Sequence, residues 1–186
     1  MIKTKWNDSW LFRKENTGLA AVEVTLPHDA MLWEKREPDC RNGKQTGFFP
    51  GGSYIYTKHF AFDRNKPLSF CAVEFEAVYR NSRVYLNDHL VGKQPYGYSG
   101  FLVNIRDAVR NGENELRVEV DNSGEPNSRW YSGSGIFRDV WLWTAERAGY
   151  IRPHGVKVHT ESASAEEAII RVLVDGEYPE NDGWQI

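Results

Sequence analysis

Only two cysteines, Cys40 and Cys71, occur in the 186 residues. They lie far apart, without a Cys-x-x-Cys pair or a histidine at ligand spacing, so neither a disulfide-dense scaffold nor a thiolate metal site is indicated. Free thiols in a reducing compartment are the default, with a single disulfide left open. Positive charge is not in excess: the net charge is −3 and the lysines and arginines are scattered. That excludes the basic patch of a nucleic-acid binder. The start, Met1-Ile2-Lys3-Thr4-Lys5-Trp6, has no apolar signal core, and no run reaches membrane-spanning length. A soluble, cytoplasmic protein with no membrane partner is therefore expected. Helical periodicity is almost missing. So are the short catalytic signatures: there is no Gly-x-Ser-x-Gly, no His-Glu-x-x-His, no phosphate loop and no calcium-loop spacing. No metal and no cofactor are expected.

What is present is aromatic. Aromatics make up 13% of the chain, a richness shared by all-β domains and sugar-binding surfaces. The pattern along the chain is alternation. Trp10 and Phe12 share one face of a short strand. Val22, Val24 and Leu26 alternate with polar residues until Pro27. Pro27-His28-Asp29-Ala30 reads as a turn, and Met31 to Pro50 as a long loop of the kind that is functional or disordered. After Gly51-Gly52, Tyr54, Tyr56, Lys58, Phe60 and Phe62 fall on one strand face. Phe70 to Val78 alternates again. Val84-Tyr85-Leu86 and Leu90-Val91 flank a tight turn at Asn87-Asp88, residues that tolerate the left-handed region. Phe101 to Ile105 is a short strand, Asp107 to Arg110 one helical turn, and Leu116, Val118 and Val120 mark another strand.

Many short strands with turn signals between them specify an all-β antiparallel sandwich of jelly-roll form. The expected division is 1–148 for that domain and 149–186 for the start of a second. After Gly149, Val156 and Val158 and then Ile169 to Val174 read as two more strands. An immunoglobulin-like sandwich needs roughly 100 residues and about forty remain, so the sequence is expected to stop inside that domain, as a fragment.

The five histidines sit singly. His28 could be an oriented base, but the Pro27-His28-Asp29 trio reads better as a turn cap. His59 and His159 fall in strands. A glycosidase needs two facing carboxylates. Glu23, Glu74, Glu76 and Glu119 instead alternate with hydrophobes and read as solvated, so no catalytic residue is assigned.

The most informative stretch is Ser128 to Trp143. Its first half sets Trp130 and Tyr131 before Gly133 and Gly135; its second half, Val140 to Trp143, is continuously apolar. Such a run suits a strand buried on both faces, or one leaving the sheet for the next domain. An aromatic loop with a basic residue, fed into a strand, can hold a flat polar ligand on a rigid scaffold. Composition alone favours a plainer role, in which Trp130 and Tyr131 plug the sandwich edge.

Arg129-Trp130-Tyr131-Ser132-Gly133-Ser134-Gly135-Ile136-Phe137-Arg138-Asp139-Val140-Trp141-Leu142 resembles the end of the N-terminal domain of family 2 glycoside hydrolases, closest to the β-galactosidase branch. The likeness covers most of the chain: Leu26 to Asp29, Gly51 to Tyr56, Val84 to Asn87, Gly97 to Phe101, Asn114 to Val118 and Asp121 to Ser123 follow in order. The glycine usual after the hairpin asparagine is Asp88 here, which touches the turn alone. The resemblance implies a jelly-roll sugar-binding domain, then an immunoglobulin-like sandwich, then a barrel that carries both catalytic glutamates beyond Ile186. It implies a non-catalytic domain of a β-galactosidase-like, retaining exo-glycosidase that helps form the substrate pocket. The partners would be a β-galactoside-type carbohydrate and the barrel, with homo-oligomerisation of the whole enzyme left open. Arg129 stands where better-known relatives carry an aspartate near the sugar. Arg129, Trp130 and Tyr131 are thus the sugar-binding candidates. Asp29, Arg138 and Asp139 are the structural or interface candidates. Alternatives are a free-standing carbohydrate-binding module, a β-glucuronidase or β-mannosidase relative, or an assembly scaffold.

Overall fold

Alternating apolar residues build two antiparallel sheets that face one another. The computed structural model describes residues 1–124 and 130–179. Its strands are β1 Ile2–Lys5, β2 Trp10–Lys14, β3 Val22–Val24, β4 Ser53–Phe62, β5 Phe70–Phe75, β6 Ser82–Leu86, β7 His89–Gln94, β8 Phe101–Asn104, β9 Gly112–Asp121, β10 Val140–Ala145, β11 Tyr150–Ala163 and β12 Ala168–Glu177. One sheet runs β3-β2-β4-β9-β6-β7, the other β1-β10-β5-β8, and β11-β12 form a separate hairpin. This is the antiparallel sandwich that the alternation predicts.

The core follows from register. Tyr54, Tyr56 and Lys58 of β4 stand opposite Val120, Val118 and Leu116 of β9, so all six point inward. Val73 and Phe75 of β5 and Val140 of β10 close the core from the other sheet. Each such apolar side chain contributes about 1.5–3 kcal/mol on burial. Lys58 is tolerated there because its Nζ donates to the Asp8 carbonyl at 2.5 Å and lies over the Trp6 and Trp10 rings. Burial lowers its pKa, against the Asp8 and Glu23 charges.

The β6–β7 turn is as read: Asn87 has φ 49° and Asp88 φ 66°, the left-handed pair of a two-residue hairpin. The helical turn also forms, with Val109 N–H donating to the Ile105 carbonyl at 2.9 Å. Buried Asn114 ties the two together. Its amide donates to the Arg110 and Gly112 carbonyls, and its oxygen accepts from Arg110 N–H and Asn87 Nδ2.

Other expectations change. Strand β1 carries no apolar alternation and was not expected; it exists because Ile2–Lys5 pairs with the edge of β10. The long loop holds two 3₁₀ turns, Ala30–Trp33 and Gly43–Thr46. Alternation puts Glu74 on a solvated face, but it is buried at 8% exposure. The reason is tertiary: β5 is an inner strand, and Trp143, Lys3 and His154 close over the carboxylate from other segments. Strand β10 is not buried on both faces. Val140 and Leu142 meet the core, while Trp141 and Trp143 are half-buried outside it, under the Lys3 ammonium. Cys40 and Cys71 are free thiols. Burial pushes the Cys71 thiol up to about 12, against a small effect of Arg64. Among the described residues no helix is long and apolar enough to cross a membrane.

Candidate functional site

The segments that carried the resemblance converge in space. His28 N–H donates to the Ile136 carbonyl and Ala30 N–H to the Ser134 carbonyl, both at 2.8 Å. Tyr79 and Gly135 exchange two backbone hydrogen bonds. The buried Asn122 side chain donates to Ser134 Oγ at 2.5 Å and to the Gly133 carbonyl at 3.3 Å. The loops after β3, β5 and β9 are thereby joined into one base.

Asp29 sits at the centre of that base. Its Oδ1 accepts from Met31 N–H and Ser134 N–H, each at 3.0 Å, and its Oδ2 accepts from the Tyr131 hydroxyl at 2.5 Å. The first bond caps the 3₁₀ turn Ala30–Trp33. The second crosses to the glycine segment, and the third fixes an aromatic ring that is otherwise 41% exposed. Burial raises the Tyr131 pKa, as do the Asp29 hydrogen bond and the Asp29 and Glu34 charges. The phenol therefore stays a donor across the neutral range.

Beneath Asp29 lies a second pair. His28 Nδ1 and the Tyr56 hydroxyl are 2.8 Å apart, and His28 Nε2 is buried without a hydrogen-bond partner among the described residues. The His28 ring is wedged between Phe12 and Trp33, with centroid distances of 4.6 and 5.3 Å. Burial lowers its pKa, partly offset by Asp29. The turn cap in this trio is Asp29; His28 is a neutral core group. Gly135 is required here. Its φ is +100°, and a Cβ would run into the Tyr56 hydroxyl.

On this base stand the aromatic candidates. Trp130 is 59% exposed, and its indole N–H donates to the Tyr98 hydroxyl at 3.0 Å. Tyr131 packs edge-on against Phe49 of the long loop, at 5.9 Å. Arg129 lies outside the described residues. Asp139 accepts from Lys5 at 2.9 Å and Asn7 at 2.8 Å, tying the β1–β2 connection to β10. Two bonds from those side chains hold its carboxyl below the usual range despite slight desolvation. Arg138 is exposed. Asn122, Ser134 and Tyr98 lie in stretches that carry the resemblance, but no local pattern marks their roles, which come from partners on other segments.

Away from this base, a cavity of about 590 Å³ lies outside β5, between Lys3, Glu74, Glu76, Arg138 and His154. Its two carboxylates do not form an acid–base pair. Glu74 accepts from Trp143 Nε1 at 2.8 Å, contacts His154 Nε2 at 2.5 Å and pairs with Lys3 at 3.1 Å. Burial alone would raise its pKa; these three partners outweigh burial and lower it. A glycosidase acid needs the opposite shift. No group of three or more metal-ligating side chains occurs among the described residues.

Residues 43–146 match the family described as glycosyl hydrolases family 2, sugar binding domain. The β-galactosidase BoGH2A of Bacteroides ovatus is 33% identical over 183 residues, covering 91% of this chain and 21% of that protein. A putative β-glucuronidase of Formosa agariphila is 29% identical over 180 residues, 92% of this chain and 17% of that one. The chain thus spans about a fifth of the length of these curated relatives. Among solved structures, a β-glycosidase from Bacteroides vulgatus superposes with a TM-score of 0.86 at 25% identity, over 98% of this chain and 25% of its own. A putative β-galactosidase from Bacteroides fragilis gives 0.79 at 26% identity, over 93% and 28%. With the sandwich, the glycine segment and the family match in agreement over one stretch, the chain belongs to the family 2 glycosyl hydrolases and carries their sugar-binding domain.

Proposed function

We propose that this chain serves a β-galactosidase-like, retaining exo-glycosidase as a non-catalytic domain, completing the substrate pocket with Arg129, Trp130 and Tyr131. One observation carries the reading: Tyr131 faces solvent yet is locked by Asp29 Oδ2 at 2.5 Å onto a base of buried loops. A side chain that only filled space would need no such anchor, whereas a binding group gains from being held before its ligand arrives. Arg129 directly precedes this pair and would offer a planar fork of donors to sugar hydroxyls. A β-galactoside is favoured by the name of the Bacteroides ovatus relative. A β-glucuronide is the second reading, favoured by the name of the Formosa agariphila relative. Residues 149–186 are read as opening an immunoglobulin-like domain, which the uncovered apolar face of β11–β12 supports. Work in the cytoplasm belongs to the same reading, supported by the two free thiols.

The chain alone should hydrolyse neither a chromogenic β-galactoside nor a β-glucuronide; turnover that follows the protein through repurification overturns this. In the full-length protein, Arg129→Ala should lower kcat/KM by roughly tenfold to a few hundredfold, since charged hydrogen bonds are worth about 1.5–3 kcal/mol. The melting temperature should hold while a galactose-like inhibitor weakens. Unchanged inhibitor affinity in a folded variant ends the sugar-contact role, and a lowered melting temperature would make Arg129 a brace.

A further inference from the structure

Three aromatic side chains beyond the Tyr131 anchor form a continuous exposed surface. Tyr96 is 59% exposed, Tyr98 45% and Trp130 59%. They come from two loops distant in sequence, and two contacts align them. The Trp130 indole N–H donates to the Tyr98 hydroxyl at 3.0 Å, and the Tyr96 and Tyr98 rings meet edge-to-face at 5.8 Å. Beneath them Tyr98 meets Tyr79, which is 5% exposed, at 5.2 Å. Gly97 presses on the same ring, where any Cβ would clash. The surface is therefore raised on a buried support.

From this arrangement we infer that Tyr96, Tyr98 and Trp130 are a stacking platform for the outer residues of an oligosaccharide, so that the substrate is a sugar chain and not a simple glycoside. The inference rests on the pocket reading above and extends it outward from Tyr131. Pyranose rings present flat C–H faces between hydroxyl edges. They suit aromatic faces that carry polar atoms at their rims, which two phenols and an indole supply. The neighbouring loop residues, Gly97, Ser99 and Gly100, are small and leave room for an extended ligand. A surface built to be covered by protein looks different, and this chain shows one. The β11–β12 hairpin exposes Val156, Val158, Ile170 and Val172 on one aliphatic face without polar rims. Within residues 94–100 the exposed side chains are Pro95, the two tyrosines and Ser99, with no Val, Leu or Ile among them.

The test uses the full-length protein and three probes, β-1,4-galactotetraose, cellotetraose and xylotetraose, each titrated beside its monosaccharide. At least one tetraose should bind about tenfold or more tighter than its monosaccharide. Tyr96→Ala/Tyr98→Ala should bring that gain to within about threefold, each lost ring contact being worth roughly a factor of three to ten. Monosaccharide affinity should fall by less than tetraose affinity does, because Arg129 and Tyr131 are untouched while Trp130 loses its Tyr98 acceptor. Tyr98→Phe keeps the ring and removes the indole's acceptor; it should lose part of the gain and fold normally, which keeps the test valid if the double variant is unstable. The inference is overturned if no tetraose gains over its monosaccharide, if the gain survives in both variants, or if hydroxyl-radical footprinting of the sugar-free protein finds Tyr96 and Tyr98 protected by another domain. If monosaccharide binding is also absent from the wild-type protein, the pocket reading falls too. If it persists, only the platform falls.

Discussion

Replacing Asp29 with alanine removes three hydrogen bonds at once, and their geometry sets the cost. Oδ1 alone serves both Met31 N–H and Ser134 N–H. Met31 and Ser134 are each 0% exposed, so water does not readily replace the lost acceptor. A buried donor left unpaired costs about 1–3 kcal/mol. The Tyr131 bond lies at the surface and adds little. Asp29 itself is half-buried, which admits some solvent relief. A loss of about 3 kcal/mol is expected for Asp29→Ala. For a protein of this size that corresponds to about 6–12 °C in Tm. Asp29→Asn is the informative control. Its amide oxygen can take the Oδ1 position and keep both backbone bonds, so it should cost under about 1 kcal/mol. Tyr131→Phe, which removes the Oδ2 bond alone, should cost no more than that in stability while weakening sugar binding. Urea unfolding with calorimetry on the three variants reads all of this. An Asp29→Ala variant within about 1 kcal/mol of wild type, or equal losses for alanine and asparagine, would refute the reasoning.

The remaining expectations concern pH and the hairpin. His28 has a lowered folded-state pKa, so below the ordinary value of about 6.5 the unfolded chain takes up a proton that the folded chain refuses, and stability falls as pH drops. Thermal melts from pH 8 to pH 5 should show this loss, and His28→Gln should flatten it; an unchanged slope in that variant removes His28 as the cause. The lowered Glu74 carboxyl adds a further loss at lower pH, as acid falls through its folded pKa. In residues 1–186 alone, limited proteolysis should cut within β11–β12 before the sandwich, because among the described residues these two strands have no partner sheet and such a pair is marginal. Equal hydrogen-exchange protection of hairpin and sandwich would contradict that.

The sequence alone determined the fold class and the inward-facing residues. Alternation needs only the period of two, and Tyr54, Tyr56, Lys58, Leu116, Val118 and Val120 face as that period dictates. It also determined the β6–β7 turn, since Asn87 and Asp88 accept positive φ locally. The likeness of the Ser128 to Trp143 stretch to a known family singled out that segment, but not how its residues are held. Tertiary structure decided what depends on distant partners. Glu74 is buried because three other segments cover a face that alternation leaves to water. Strand β1 forms because β10 has an edge to pair, which no local pattern records. Asp29 becomes a hub only when Ser134 and Tyr131, more than a hundred residues later, fold onto its two oxygens. Trp130 and Tyr98 become one surface through a hydrogen bond between loops. Periodicity is a property of neighbours in sequence, whereas a carboxylate's partners are chosen by neighbours in space.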